Sequence, residues 1–78
     1  MTNLEKYTKA FAEGLEIGEE GIEELVYEQI PQWDSVGHMG LISSLEDTFD
    51  IMLETDDIID LSSFKKGIEI LKKYGVEI

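Results

Sequence analysis

The stretch WDSVGHMGLISSLEDTF, residues 33–49, decides the fold of this chain. Apolar residues recur along it at steps of three and four, which is the spacing of one helical face. The members of that face are Met39, Ile42, Leu45 and Phe49. The preceding proline and the Asp34-Ser35 pair are typical of a loop that leads into a helix. We therefore predict a helix over Ser35 to Phe49, with the Ser35 hydroxyl facing outward where the helix dipole favours a negative group.

Outward from this stretch, helical spacing predicts three further helices and hence an all-α fold. The predicted helices span about residues 2–13, 35–49, 55–60 and 64–74, three longer ones and a short third one. Gly14 is expected to end the first helix and Gly75 the last. The expected capping residues are Thr2 or Asn3 for the first helix, Thr55 for the third, and Ser62 or Ser63 for the last.

The charge of the chain is strongly negative and unevenly distributed. The formal net charge is −12, and between Lys9 and Lys65 the chain has fifteen acids and no basic residue except His38. Phosphate contacts need a basic face, so we expect no nucleic-acid partner. A protein partner with a basic docking surface is the physical expectation, and solubility alone is the alternative explanation.

Length and composition suggest one domain, residues 1–78, with room for one core and no deep catalytic pocket. The absence of cysteine excludes disulfides and thiolate metal sites. No apolar run approaches the ~20 residues of a membrane span, and the first residues lack the pattern of a signal peptide. We therefore expect a cytoplasmic monomer with no membrane partner.

The motif at the start of the central helix resembles the attachment site of acyl carrier proteins. That family has Asp-Ser and a large apolar residue at this place, here Asp34-Ser35-Val36, and an acidic cluster before an aromatic residue, here Glu46-Asp47-Thr48-Phe49. The family pattern continues without a gap to the last helix and covers about residues 3–74. The resemblance implies a four-helix bundle in which Ser35 carries 4′-phosphopantetheine, whose thiol holds an acyl group. It implies a carrier and not an enzyme.

The resemblance also implies partners and residue roles. The partners are a phosphopantetheinyl transferase, an acyl or aminoacyl ligase, and a downstream synthase or transferase. Asp34 would help to hold the transferase's metal ion, and Val36 would enter an apolar socket on partners. Further partner recognition would fall to His38, Met39, Glu46, Asp47, Asp56 and Asp57. The acyl cavity would be lined by Ile42, Leu45, Leu61 and Ile68.

In the same family the region after the first helix is a long loop, which we expect here over residues 14–34. The spacing of its apolar residues allows a one-turn helix around residues 22–26. Trp33 is expected to anchor this loop on the bundle, with stacking on the prosthetic group as the alternative. Gly37 and Gly40 stand where many fatty-acid carriers have acids. Either the close approach of a partner or of the prosthetic group, or a fraying first turn, would explain them.

Other functions fit the sequence less well. Ser35 and His38 are three residues apart on one helix, but no sharp-turn motif or second histidine accompanies them, so we do not expect an enzyme. The acids around the third helix, Glu54, Asp56, Asp57 and Asp60, lack EF-hand spacing, so we expect no metal site. Two alternatives stay open: an aminoacyl or peptidyl carrier of a specialised pathway, and an unmodified acidic interaction module of the same fold.

Overall fold

The computed structural model describes all residues from 1 to 78 and contains four α-helices and no strand. The helices are α1 (Asn3–Leu15), α2 (Ser35–Phe49), α3 (Thr55–Asp60) and α4 (Phe64–Lys73). Between α1 and α2 runs the long loop, residues 16–34, whose one regular element is a 3-10 turn at Ile22–Glu24. The predicted all-α bundle with a short third helix is confirmed. None of the helices is both long enough and apolar enough to cross a membrane.

The first helix begins as predicted and ends later. The Thr2 side chain accepts a hydrogen bond from the Glu5 backbone while the Glu5 carboxylate accepts one from the Thr2 backbone, which is a complete capping box. Gly14 does not end the helix, because it is the point where α1 lies directly against α2. A Cβ at Gly14 would be 2.7 Å from the Leu41 Cα. The helix ends instead at Glu16, whose φ of 58° is left-handed.

An aromatic cluster joins α1, the long loop and α4. Phe11 packs edge-on against Trp33 and Phe64, with ring centroids 5.1 and 5.2 Å apart. The fully buried Tyr7 donates a hydrogen bond from its hydroxyl to the Phe64 carbonyl at 2.7 Å. Burial raises the pKa of that hydroxyl far above its ordinary range. Large rings therefore fill the core where three chain segments meet.

Backbone hydrogen bonds hold the long loop on the connection between α3 and α4. The Phe64 N–H donates to the Leu25 carbonyl at 3.0 Å, and the Tyr27 N–H donates to the Ser62 carbonyl at 2.8 Å. Val26 faces Ser63 in an isolated antiparallel bridge. The loop is thus a packed layer over the bundle, which satisfies its backbone groups without a helix or sheet of its own.

The caps of the two short helices differ in chemistry. Ser63, and not Ser62, caps α4 by accepting a hydrogen bond from the Lys66 N–H at 2.9 Å. The prediction that Thr55 caps α3 is wrong, since Glu54 holds the capping position and makes no side-chain cap bond. The α3 helix therefore depends on contacts of its side chains and carbonyls with its neighbours.

Tertiary packing explains the two glycines in the first turns of α2. A Cβ on Gly37 would overlap the Gln32 carbonyl, and one on Gly40 would lie 3.0 Å from the Gly14 carbonyl oxygen. Gly37 therefore lets the long loop pass close to the helix, and Gly40 lets α1 do so. Neither of the two sequence-based explanations, contact with an external group or a fraying turn, is needed.

We expect Gly37→Ala to lower the free energy of unfolding by about 1–3 kcal/mol, since the methyl group has no space. This loss should outweigh the gain in helix propensity, since alanine is more favourable than glycine in a helix by up to about 1 kcal/mol. Gly18→Ala is the matched control, because a Cβ there meets nothing within 4 Å. Urea unfolding of the three proteins measures the difference. A Gly37→Ala protein as stable as the parent would contradict the close approach.

Candidate functional site

Ser35 is the first residue of α2 and its side chain is exposed. The helix is capped by Asp34, whose Oδ1 accepts a hydrogen bond from the Gly37 N–H at 2.8 Å. The simplest structural role for Ser35, that of a capping residue, is therefore filled by its neighbour. The Ser35 hydroxyl is presented to solvent at the end of a 15-residue helix where an anionic group is stabilised.

Two apolar side chains beside Ser35 are exposed. Val36 is 79% exposed and Met39 is 58% exposed, and their spacing of three residues puts them on neighbouring parts of the helix surface. Asp47 on α2 and Asp56 on α3 are also exposed. These four residues are accessible, as partner recognition requires, and their role in it stays a prediction.

Two other acids predicted for that surface accept hydrogen bonds from groups within the chain. The Glu46 carboxylate is half-buried and accepts a hydrogen bond from the Leu53 N–H at 2.9 Å, so it holds the connection from α2 to α3. The position of Asp57 does not support the partner-recognition role predicted for it. It is 7% exposed, because it lies on the side of α3 that faces α4.

Asp57 joins α3 to α4 through a polar cluster. Its carboxylate accepts hydrogen bonds from the Lys73 ammonium and the Tyr74 hydroxyl, and that hydroxyl accepts one from the Glu54 N–H at 2.9 Å. The bonds from Lys73 and Tyr74 lower the pKa of Asp57, and the bond to Asp57 raises the pKa of both partners. No group of three or more acids, histidines or cysteines is arranged to hold a metal ion.

His38 lies between the long loop and α3. Its Nδ1 accepts a hydrogen bond from the Trp33 indole N–H at 2.9 Å, so in the neutral ring Nε2 carries the proton. Nε2 then donates to the Ile58 carbonyl at 2.7 Å. We call these two hydrogen bonds the His38 bridge. The expected contact of His38 with a partner is not supported, because the ring is half-buried and both of its nitrogens have partners inside the chain.

Trp33 anchors the long loop as predicted. The side chain is fully buried, packs edge-on against Phe11 and Tyr27, and lies nearly parallel to the His38 ring at an angle of 16°. The alternative, stacking on an attached group, is wrong because no face of the indole is accessible.

A pocket of about 270 Å³ opens beside the His38 bridge. It is lined by Tyr27, His38, Ile58, Ile59, Leu61 and Ser62. Of the four residues predicted to line a cavity, only Leu61 does so here. Ile42 and Leu45 are core residues, 3% and 1% exposed, and Ile68 lines a separate pocket of about 210 Å³ between α1 and α4.

Sequence reasoning missed the contribution of the long loop to this pocket. Tyr27 and Ser62 are brought together by the hydrogen bond between their backbones, which joins distant parts of the chain. No periodic pattern marks such a pairing. A tyrosine in a loop rich in acids is the one signal that the sequence offers.

Scans of the chain against models of known protein families, against curated proteins and against solved structures give no match.

The Asp57 cluster predicts a specific dependence of stability on pH. The folded pKa of Asp57 lies below the unfolded value of about 3.9. The resulting stabilisation is fully present above that unfolded value and is lost as the pH falls through the folded pKa. We expect Asp57→Asn to lower the melting temperature near pH 7, and the gap to the parent to close on acidification.

Asp56→Asn is the matched control, because it removes the same charge from an exposed neighbour on the same helix. Its melting temperature should stay close to that of the parent throughout the titration. Equal behaviour of the two variants would show that net charge, and not the buried cluster, determines the effect.

Proposed function

We propose that this chain is an acyl carrier protein, in which Ser35 is esterified by 4′-phosphopantetheine, and that it is not itself an enzyme. The observation that carries the proposal is the exposed Ser35 hydroxyl at the first position of α2, with the capping role filled by Asp34. The sequence resemblance over residues 3–74 supports the same assignment. Because coenzyme A and its transferase must reach the folded chain, the proposal includes a cytoplasmic location.

The attachment is a phosphoryl transfer to the Ser35 hydroxyl. The Ser35 Oγ forms a bond to phosphorus, the pyrophosphate bond of coenzyme A breaks, the nucleotide leaves, and the hydroxyl proton passes to a base of the transferase. The anionic phosphodiester then lies at the positive end of the α2 dipole, which favours it. Once attached, phosphopantetheine supplies a thiol that holds the acyl group as a thioester.

The surface around Ser35 suits the partners that such a carrier needs. Val36 and Met39 offer apolar contact area, and the exposed Asp47 and Asp56 attract a basic docking surface. Asp34 caps α2 through one carboxylate oxygen, which leaves the other for a metal ion held by the transferase. We propose these roles toward the transferase, a ligase and a downstream synthase.

Intact-mass analysis after incubation with coenzyme A and a broad-specificity phosphopantetheinyl transferase tests the proposal. We expect the parent to gain one phosphopantetheine and Ser35→Ala to gain none. Ser43→Ala is the matched control, because Ser43 is an exposed serine on the same helix. It should be modified like the parent.

A second carrier protein that the transferase modifies serves as the positive control. If that carrier is modified and this chain is not, the carrier assignment fails. The alternative is then the unmodified acidic interaction module, whose partners would bind at the exposed residues of α2 and α3.

A further inference from the structure

We propose that the pocket beside the His38 bridge limits the cargo to a short acyl group, no longer than about hexanoyl, which stays at the surface of the bundle. This inference rests on the proposed function, since it concerns the group that Ser35 would carry.

The pocket lies within reach of the attachment residue. His38, one of its lining residues, follows Ser35 by three residues on α2, a rise of about 4.5 Å along the helix. Its rim is open to solvent at Ile59, which is 75% exposed. A flexible group that begins at Ser35 can enter this pocket, which offers a concave apolar surface that the exposed side chains of Val36 and Met39 do not.

The volume of the pocket suits a short chain. About 270 Å³ is less than twice the volume of about 150 Å³ at which an engineered apolar cavity binds benzene, a molecule of six carbon atoms. A hexanoyl thioester has eight non-hydrogen atoms, counting the sulfur, and is therefore close to the limit. A palmitoyl chain is more than twice as long and does not fit.

The floor of the pocket is closed toward the core. Leu61 is 2% exposed, and its Cδ1 lies 2.7 Å from the position that a Cβ on Gly67 would take. The Tyr7 hydroxyl lies against the same glycine. Leu61 is therefore packed directly on the α4 backbone at Gly67, so a longer chain would have to displace it to go deeper. Ile42 and Leu45, which would line a deeper cavity, are packed in the core and do not line this pocket.

The wall formed by α3 is held from both sides. The Ile58 carbonyl accepts the hydrogen bond from His38 on α2, and the adjacent Asp57 accepts those from Lys73 and Tyr74 at the end of α4. The α3 helix has only six residues, and moving it away from α2 or from α4 would break the hydrogen bonds to that helix. The bundle therefore resists the opening that a long acyl chain would need.

The test uses the chain loaded at Ser35 with straight acyl groups from acetyl to palmitoyl, each checked by intact mass. Melting temperature and the rate of thioester cleavage by hydroxylamine are measured for each. We expect protection to rise, with cleavage several-fold slower, from acetyl to about hexanoyl and then to fall or stay level. Values that continue to rise to palmitoyl would overturn the proposal, and so would values that do not depend on chain length.

Two variants test the fixed wall. His38→Ala removes the bridge to Ile58, and Tyr74→Phe removes one hydrogen bond to Asp57 from the α4 side. We expect both to move the maximum of protection to longer chains. Ser43→Ala should leave the profile unchanged, because Ser43 lines no part of the pocket. Unchanged profiles in both folded variants would contradict the role of α3 as a fixed wall.

The two proposals fail in different ways. A chain that cannot be loaded at Ser35 removes the carrier assignment. A chain that is loaded but protects palmitoyl best keeps the carrier assignment and removes the limit on length.

Discussion

The arrangement of the chain around Ser35 depends on the His38 bridge. Trp33 and His38 lie on either side of Ser35 in the sequence, and the hydrogen bond between their rings closes the segment that contains Ser35. The second hydrogen bond of the ring extends this closure to α3 at Ile58. One neutral imidazole thus fixes the end of the long loop, the first turn of α2 and the wall of the pocket relative to one another. Replacing either ring leaves a polar group without its partner at a buried joint.

The remaining structure divides into a buried half and an exposed half. The aromatic cluster of α1, Trp33 and α4 buries its rings completely, and the glycines at 14, 37, 40 and 67 let backbone or side chains approach closely. Exposed apolar and acidic groups are found on α2 and α3. The Asp57 cluster and the His38 bridge join the two halves. Asp57 and His38, which the sequence suggests for partner recognition, therefore form hydrogen bonds within the fold.

Much of the fold, and less of the site, could be predicted from the sequence. The bounds of α2 follow from helical periodicity, because its apolar residues recur at steps of three and four after a turn. The bounds of α3 agree with the prediction although Thr55, the cap on which that prediction depends, does not cap it. The extension of α1 past Gly14 could not be predicted, because Gly14 allows a close contact with Leu41 on α2 and does not end its own helix. In the same way Asp56 and Asp57 are adjacent aspartates, and only the folded structure shows that Asp57 is buried beside Lys73 and Tyr74. Tyr27 reaches the pocket through a pairing between distant segments, for which local patterns carry no signal.

The burial of Trp33 has a practical consequence. The chain has one tryptophan, and its indole is fully buried two residues before Ser35 with its N–H bonded to His38. The intrinsic fluorescence of the chain therefore comes mainly from a single point beside the proposed attachment residue. Its emission wavelength reports the solvation of that point alone, and its quenching reports access to it. The molecule thus contains its own optical label for events at Ser35, with no need for an added dye.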